Sequence, residues 1–164
     1  MTEISRRTLL GAGAATLCVT LAGLATATAA AQPRARFPFA LTDAQWRRRL
    51  SADAYAVLRH EGTERAGSSP LNREHRRGTF SCAGCGQRLF SSATKFDSGT
   101  GWPSFWRPLP NAVGTSTDRS LGTVRTEVHC ARCGGHLGHV FTDGPRPTGL
   151  RYCMNGVAMT FRPG

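Results

Sequence analysis

Two Cys-x-x-Cys pairs, Cys82-Ala-Gly-Cys85 and Cys130-Ala-Arg-Cys133, restrict this chain more than any other feature, and each is followed at once by glycine (Gly86, and Gly134 with Gly135). Two such knuckles let four thiolates meet tetrahedrally around one Zn²⁺, and each turn can offer backbone amides to its sulfurs. The 44 residues between the pairs exceed the spacing of a compact zinc ribbon. The pairs therefore belong on neighbouring hairpins, with the intervening chain free for another task. Disulfides are the other reading, available to any chain in an oxidising compartment; the matching turns favour a shared metal. Four thiolates fill the coordination sphere and leave no position for a reacting water, which makes such a site structural.

With 164 residues and an apolar share of 40%, the chain has room for one domain with an ordinary core. Residues 1–31 stand apart from it. Arg6 and Arg7 precede an uncharged run from Leu9 to Ala31, which closes on two A-x-A sites, Ala27-Thr28-Ala29 and Ala29-Ala30-Ala31. This is a signal-peptide pattern. A retained membrane helix is the alternative for a run near the roughly 20 residues that span a bilayer, but its Ala, Gly and Thr content suits removal better. Ser5-Arg6-Arg7-Thr8-Leu9-Leu10 further resembles a twin-arginine export signal.

The expected organisation is a leader over 1–31, a linker over 32–40 and a folded domain over 41–164. Such a protein is exported to the periplasm or beyond and has no stable membrane anchor once the leader is cut. Without the leader, nineteen basic and nine acidic side chains remain. The arginines are scattered and form no basic helix face, so the charge reads as solvated surface and no nucleic-acid partner is expected.

Thr42-Asp43-Ala44-Gln45 has the spacing of a capping box, which predicts a helix to about Leu50. Ser51 caps a second helix through Tyr55, Val57 and Leu58, ending at Gly62. Residues 62–78 are polar and read as a loop. Beyond Gly78 come short apolar or alternating runs: Thr79–Cys82, Arg88–Phe90, Val124–His129, His139–Phe141 and Val157–Phe161. These are strand signals at close spacing, so the fold class is mainly β and antiparallel, with short N-terminal helices.

Cys18 leaves with the leader, so Cys153 is the one thiol outside the two pairs in the mature domain. An odd cysteine in an exported protein is either buried and inert or reactive. If Arg151-Tyr152-Cys153-Met154-Asn155 is extended, Arg151, Cys153 and Asn155 share a face. A cation beside sulfur favours thiolate over thiol. Likewise His139, Phe141 and Asp143 share a face of the segment that begins at His136, an acid/base set beside an apolar surface. The other reading of each histidine is a structural or exposed residue, and His136, close to a knuckle, is a rival zinc ligand. Gly101-Trp102-Pro103-Ser104-Phe105-Trp106 reads either as a rigid turn or as an exposed indole suited to a small apolar group such as a methyl.

Together, Cys82-x-x-Cys85, Phe90, Lys95-Phe-Asp-Ser-Gly-Thr100-Gly-Trp102-Pro-Ser-Phe105, Cys130-x-x-Cys133-Gly-Gly-His136-Leu-Gly-His139-Val-Phe141, Asp143-Gly-Pro and Arg151-Tyr-Cys153-x-Asn155 resemble the peptide-methionine (R)-S-oxide reductases, the B type. The resemblance runs from about Phe39 to Phe161. It implies two antiparallel β-sheets and one structural zinc on Cys82, Cys85, Cys130 and Cys133. It also implies that Cys153 attacks the sulfoxide sulfur of oxidised methionine, leaving a sulfenic acid. His139 is then the expected proton donor, with His136 and Asp143 ordering its surroundings. Arg151 favours the thiolate, Asn155 hydrogen-bonds near the reacting atoms, and Trp102 and Phe141 contact the substrate. The implied partners are oxidised methionine in proteins or peptides and a thioredoxin-like or other thiol reductant, and a monomer is expected. Many relatives carry a second, resolving cysteine two residues before this tryptophan; here that position is Thr100.

Overall fold

Thr42 starts the first helix, α1 (Asp43–Arg49), as its capping box predicts. Its hydroxyl accepts from the Gln45 amide at 3.3 Å, and Gln45 Oε1 accepts from the Thr42 amide at 2.8 Å, an exchange worth about 1 kcal/mol. Ser51 caps α2 (Ala52–His60), which ends where Glu61 turns left-handed (φ 57°) and Gly62 donates to the Ala56 carbonyl. The left-handed residue is thus Glu61, one before the glycine expected to stop the helix. This structure, a computed structural model, describes residues 37–164. The expected leader over 1–31 and the start of the expected linker lie outside the described residues.

The described residues form nine strands: β1 (Gly78–Cys82), β2 (Arg88–Ser91), β3 (Lys95–Phe96), β4 (Ser104–Phe105), β5 (Val113–Asp118), β6 (Arg125–Cys130), β7 (His136–Phe141), β8 (Arg151–Met154) and β9 (Met159–Pro163). They form two antiparallel sheets, β2-β1-β9 and β3-β4-β8-β7-β6-β5. The fold is mainly β with short N-terminal helices, as the strand signals imply. Phe80 of β1, Phe90 of β2 and Phe105 of β4 join the sheets: all three are fully buried, with Phe105 stacked on Phe90 (4.3 Å) and edge-on to Phe80 (4.9 Å). Each buried ring contributes roughly 1.5–3 kcal/mol by leaving water.

The structure departs from the sequence expectation in several places, including the two-residue strands β3 and β4 and a 3₁₀ turn over Pro70–Arg73 in the expected loop. β5 was not foreseen, because Val-Gly-Thr-Ser-Thr-Asp has no apolar alternation; its pairing with β6 creates it. β7 begins at His136, three residues early. The strand expected from Val157 begins at Met159 instead, after a 3₁₀ turn over Gly156–Ala158. The Glu64 carboxylate draws the Gly156 and Val157 amides to itself at 2.7 and 2.9 Å, which diverts the backbone from the sheet.

Candidate active site and metal centre

The two knuckles occupy equivalent turns. Cys82 ends β1 and Cys130 ends β6, so each CxxC closes a hairpin, one from each sheet. Gly86 and Gly134, each just after the second cysteine, have φ of 76° and 66° and donate to the Cys82 and Cys130 carbonyls at 2.8 and 2.9 Å. This left-handed turn is why glycine stands at both places. The four sulfurs lie within 4.8 Å of one another, and all four residues are buried. Cys82 and Cys133 are 3.7 Å apart and Cys85 and Cys130 3.5 Å apart. Sulfurs about 2.3 Å from a tetrahedral Zn²⁺ stand about 3.8 Å from each other, so the set fits one such ion. Proton sharing among the sulfurs pushes Cys82 and Cys133 above the ordinary thiol value and holds Cys85 and Cys130 below it. Among the described residues no cysteine is in a disulfide.

Arginines close the carbonyl side of these turns. Arg49 Nε donates to the Gly84 carbonyl (2.5 Å), Arg132 Nη1 to that of Cys85 (2.8 Å) and Arg59 Nη1 to that of Cys133 (3.2 Å). His136 is not a ligand. Its Nδ1 meets Glu127 Oε1 at 2.8 Å, and the same carboxylate takes His129 Nδ1 (2.8 Å) and the Ser116 hydroxyl (2.9 Å). Burial alone would raise Glu127; the bonds from His129, His136 and Ser116 outweigh it and hold the carboxyl at about 2.

Cys153 lies elsewhere, half-buried in the middle of the larger sheet. It pairs with Ser104 on one side and His139 on the other, so His139 and Cys153 project from the same face. Phe141 and Arg151 are the next like-facing pair, with the guanidinium 4.4 Å from the Phe141 ring centre. Gly138 makes the approach of β7 possible, since a Cβ there would stand 2.1 Å from the Cys153 carbonyl oxygen. Thr100 Oγ1 reaches Cys153 Sγ at 3.7 Å. A cavity of about 730 Å³, lined by Val57, Glu64, Ser69, Leu71 and Val157, is separate and does not include Cys153.

The carboxylate on His139 is Asp118, not Asp143: His139 Nε2 meets Asp118 Oδ2 at 2.8 Å, and Arg125 Nη2 reaches the same oxygen at 2.5 Å. Burial holds the His139 imidazole below its ordinary value, with the Asp118 bond opposing. Asp118 is itself held well below the carboxylate range, first by the Ser120 amide and then by its other partners. Asp143 instead makes a two-bond pair with Arg151, both at 2.9 Å. That bond is the main reason Asp143 lies below and Arg151 above the usual value. Asp143 orders Arg151, then, and the sequence-based role beside His139 passes to Asp118.

Asn155 is also placed differently from expectation. β8 ends at Met154, so the period-two alternation stops short of it. Its buried amide accepts from the Glu64 amide (2.9 Å) and donates to the Leu137 carbonyl (3.1 Å), tying the polar loop to β7. Trp102 is half-buried and donates its indole N–H to the Glu64 carbonyl at 3.1 Å. Asn155 and Trp102 thus meet at Glu64, a residue absent from the sequence-based set. Its only sequence signal is an acid isolated in a polar loop.

Residues 50–163 match the SelR domain. A peptide methionine sulfoxide reductase MsrB of Thiobacillus denitrificans is 56% identical over 123 residues, covering 74% of this chain and 93% of that protein. The chain belongs to the MsrB family. The MsrB of Bradyrhizobium diazoefficiens is also 56% identical over 123 residues (74% of this chain, 88% of the relative). That of Leifsonia xyli is 52% identical over 132 residues (79% and 95%). The domain shared with these MsrB proteins contains both the four-cysteine cluster and Cys153.

Proposed function

We propose that this enzyme of the MsrB family reduces the R epimer of methionine sulfoxide in peptides and proteins, with Cys153 as nucleophile. The observation that carries the reading is the pairing of Cys153 with His139 on one open face of the sheet, away from the four-cysteine cluster. A sulfoxide oxygen leaves poorly unless protonated, so attack by the thiolate on sulfur needs a nearby acid. His139, steadied by Asp118, is that acid. Arg151 supplies positive charge on the same face, while Trp102 and Phe141 contact the substrate. Cys153–SH and the sulfoxide give Cys153–SOH and methionine; two external thiols then return the cysteine, yielding one disulfide and water. An epimer-resolved assay with a dithiol reductant tests this, and no consumption of either epimer would sink it.

Thr100 stands beside the sulfur where many relatives have a resolving cysteine. A hydroxyl cannot form that disulfide, so the sulfenic acid persists until an external thiol, from a thioredoxin-like or other donor, attacks it. Mass spectrometry after one turnover without reductant should find one added oxygen at Cys153. Zn²⁺ on Cys82, Cys85, Cys130 and Cys133 would hold the two hairpins together and take no part in the reaction. The Arg6-Arg7 leader pattern supports export through a twin-arginine route and repair outside the cytoplasm.

A further inference from the structure

Three hydroxyls line up behind the Cys153 sulfur. Sγ is 3.7 Å from Thr100 Oγ1, which is 2.8 Å from Ser98 Oγ, which is 2.7 Å from Ser104 Oγ. Ser104, fully buried, ends the series by donating to the Trp102 carbonyl at 3.1 Å. Among the described residues these hydroxyls have no other side-chain partners.

Each hydroxyl has one proton, and a carbonyl can only accept. Ser104 therefore spends its proton on Trp102. Ser98 must then donate to Ser104, and Thr100 to Ser98. The only proton left for the contact between Thr100 and sulfur is that of the thiol itself. Arg151 also faces the sulfur, but a thiolate that accepts from Thr100 needs the opposite order, with Ser98 donating to Thr100 and Ser104 to Ser98; the Trp102 carbonyl then loses its donor. Only the S–H bond is broken in this change, and its proton leaves to solvent.

We propose that Ser98 and Ser104 are positioning residues that act through Thr100 on the Cys153 sulfur, reversing their hydrogen bonds when Thr100 turns to donate to a thiolate. This rests on Cys153 being the nucleophile, but its consequence is read without turnover. The two ends of the series must act in opposite senses. Thr100→Val removes the hydroxyl able to donate to sulfur, so the Cys153 pKa rises. Ser104→Ala removes the anchor on the carbonyl and frees Ser98 and Thr100 to turn toward sulfur, so the pKa falls.

The test is the rate of iodoacetamide alkylation at Cys153 in the full chain, followed peptide by peptide by mass spectrometry from about pH 5 to about pH 10. Thr100→Val should move the midpoint up, and Ser104→Ala down, by roughly half a unit to one unit. Thr100→Ser, which restores the hydroxyl, should return it to the wild-type position. If Ser104→Ala does not fold, the half-buried Ser98→Ala cuts the series at the next link and should also lower the midpoint. Shifts in the same direction at both ends, no shift at either, or failure of Thr100→Ser to restore the midpoint would overturn the proposal. Retained turnover in Cys153→Ser would instead remove the nucleophile role and leave this titration standing.

Discussion

The four-cysteine cluster and the Cys153 site both hang sulfur on short antiparallel strands, yet they are built in opposite ways. In the cluster, each half is a local turn: cysteine, two residues, cysteine and a left-handed glycine, with the carbonyls closed off by arginine. At Cys153 no two partners come from one turn. Thr100 arrives from the loop before β4, His139 from β7, Asp118 from the end of β5 and Arg151 from β8 itself. A closed, locally encoded unit suits a grip that never changes. A site assembled from four segments can leave one sulfur approachable and surround it with groups that exchange protons.

This contrast predicts that the two sites fail separately. Cys153→Ser should lower turnover by about a thousandfold or more, because serine is a far weaker nucleophile near neutral pH. Bound metal and melting temperature should stay as in the wild type, and loss of either would merge the two sites. Cys130→Ser should do the reverse first: about one metal ion per chain is lost by elemental analysis, and stability falls by several kcal/mol in denaturant titration. Unchanged metal content and stability would refute the tetrathiolate assignment.

Asp118→Asn sharpens the comparison at the reactive site. The bond to Asp118 supports the protonated form of His139 against burial. Removing the carboxylate lowers the imidazole pKa further, so the fall in kcat with rising pH should begin at more acid pH than in the wild type. A limb moved toward alkaline pH would exclude His139 as the acid. The smallest effect belongs to Gly86→Ala. No atom lies within 4 Å of the added Cβ, leaving only the left-handed backbone (φ 76°) to cost about 1–2 kcal/mol in thermal unfolding.

What the sequence made legible follows the same division. The capping box at Thr42, both knuckles and the shared face of Arg151 and Cys153 rest on spacings of a few residues, and the structure contains them. Strand alternation points to Asp143 in the neighbourhood of His139 because it speaks only of one strand, whereas the carboxylate bonded to His139 is Asp118. Asp118 lies on β5, a polar strand with no periodic signal, and reaches His139 only through the hairpin with β6. Asn155 was placed by extending the alternation one residue too far, into a turn that Glu64 imposes from 92 residues away. Ser98 and Ser104 gave no signal apart from the motif itself, since serine in a glycine-rich stretch reads as turn chemistry.

The arginines around the knuckles bear on the chain's basic composition. One divalent ion held by four thiolates would carry two net negative charges, and that excess would sit in the interior among the four buried cysteines. Arg49, Arg59 and Arg132 each donate to a knuckle carbonyl, and all three also lie over nearby rings: Arg59 is 4.9 Å from the Trp46 ring centre, and Arg132 and Arg49 are 5.1 and 5.7 Å from that of Phe39. Their three positive charges would offset such an anion from its rim, where the guanidinium groups keep contact with water. The formal charge of +11 counts every cysteine as neutral, so a tetrathiolate holding one divalent ion would lower it by about two. Loss of the ion would leave these cations facing protonated sulfur, so a metal-free chain should be looser and about two charges more positive than the metal-bound one.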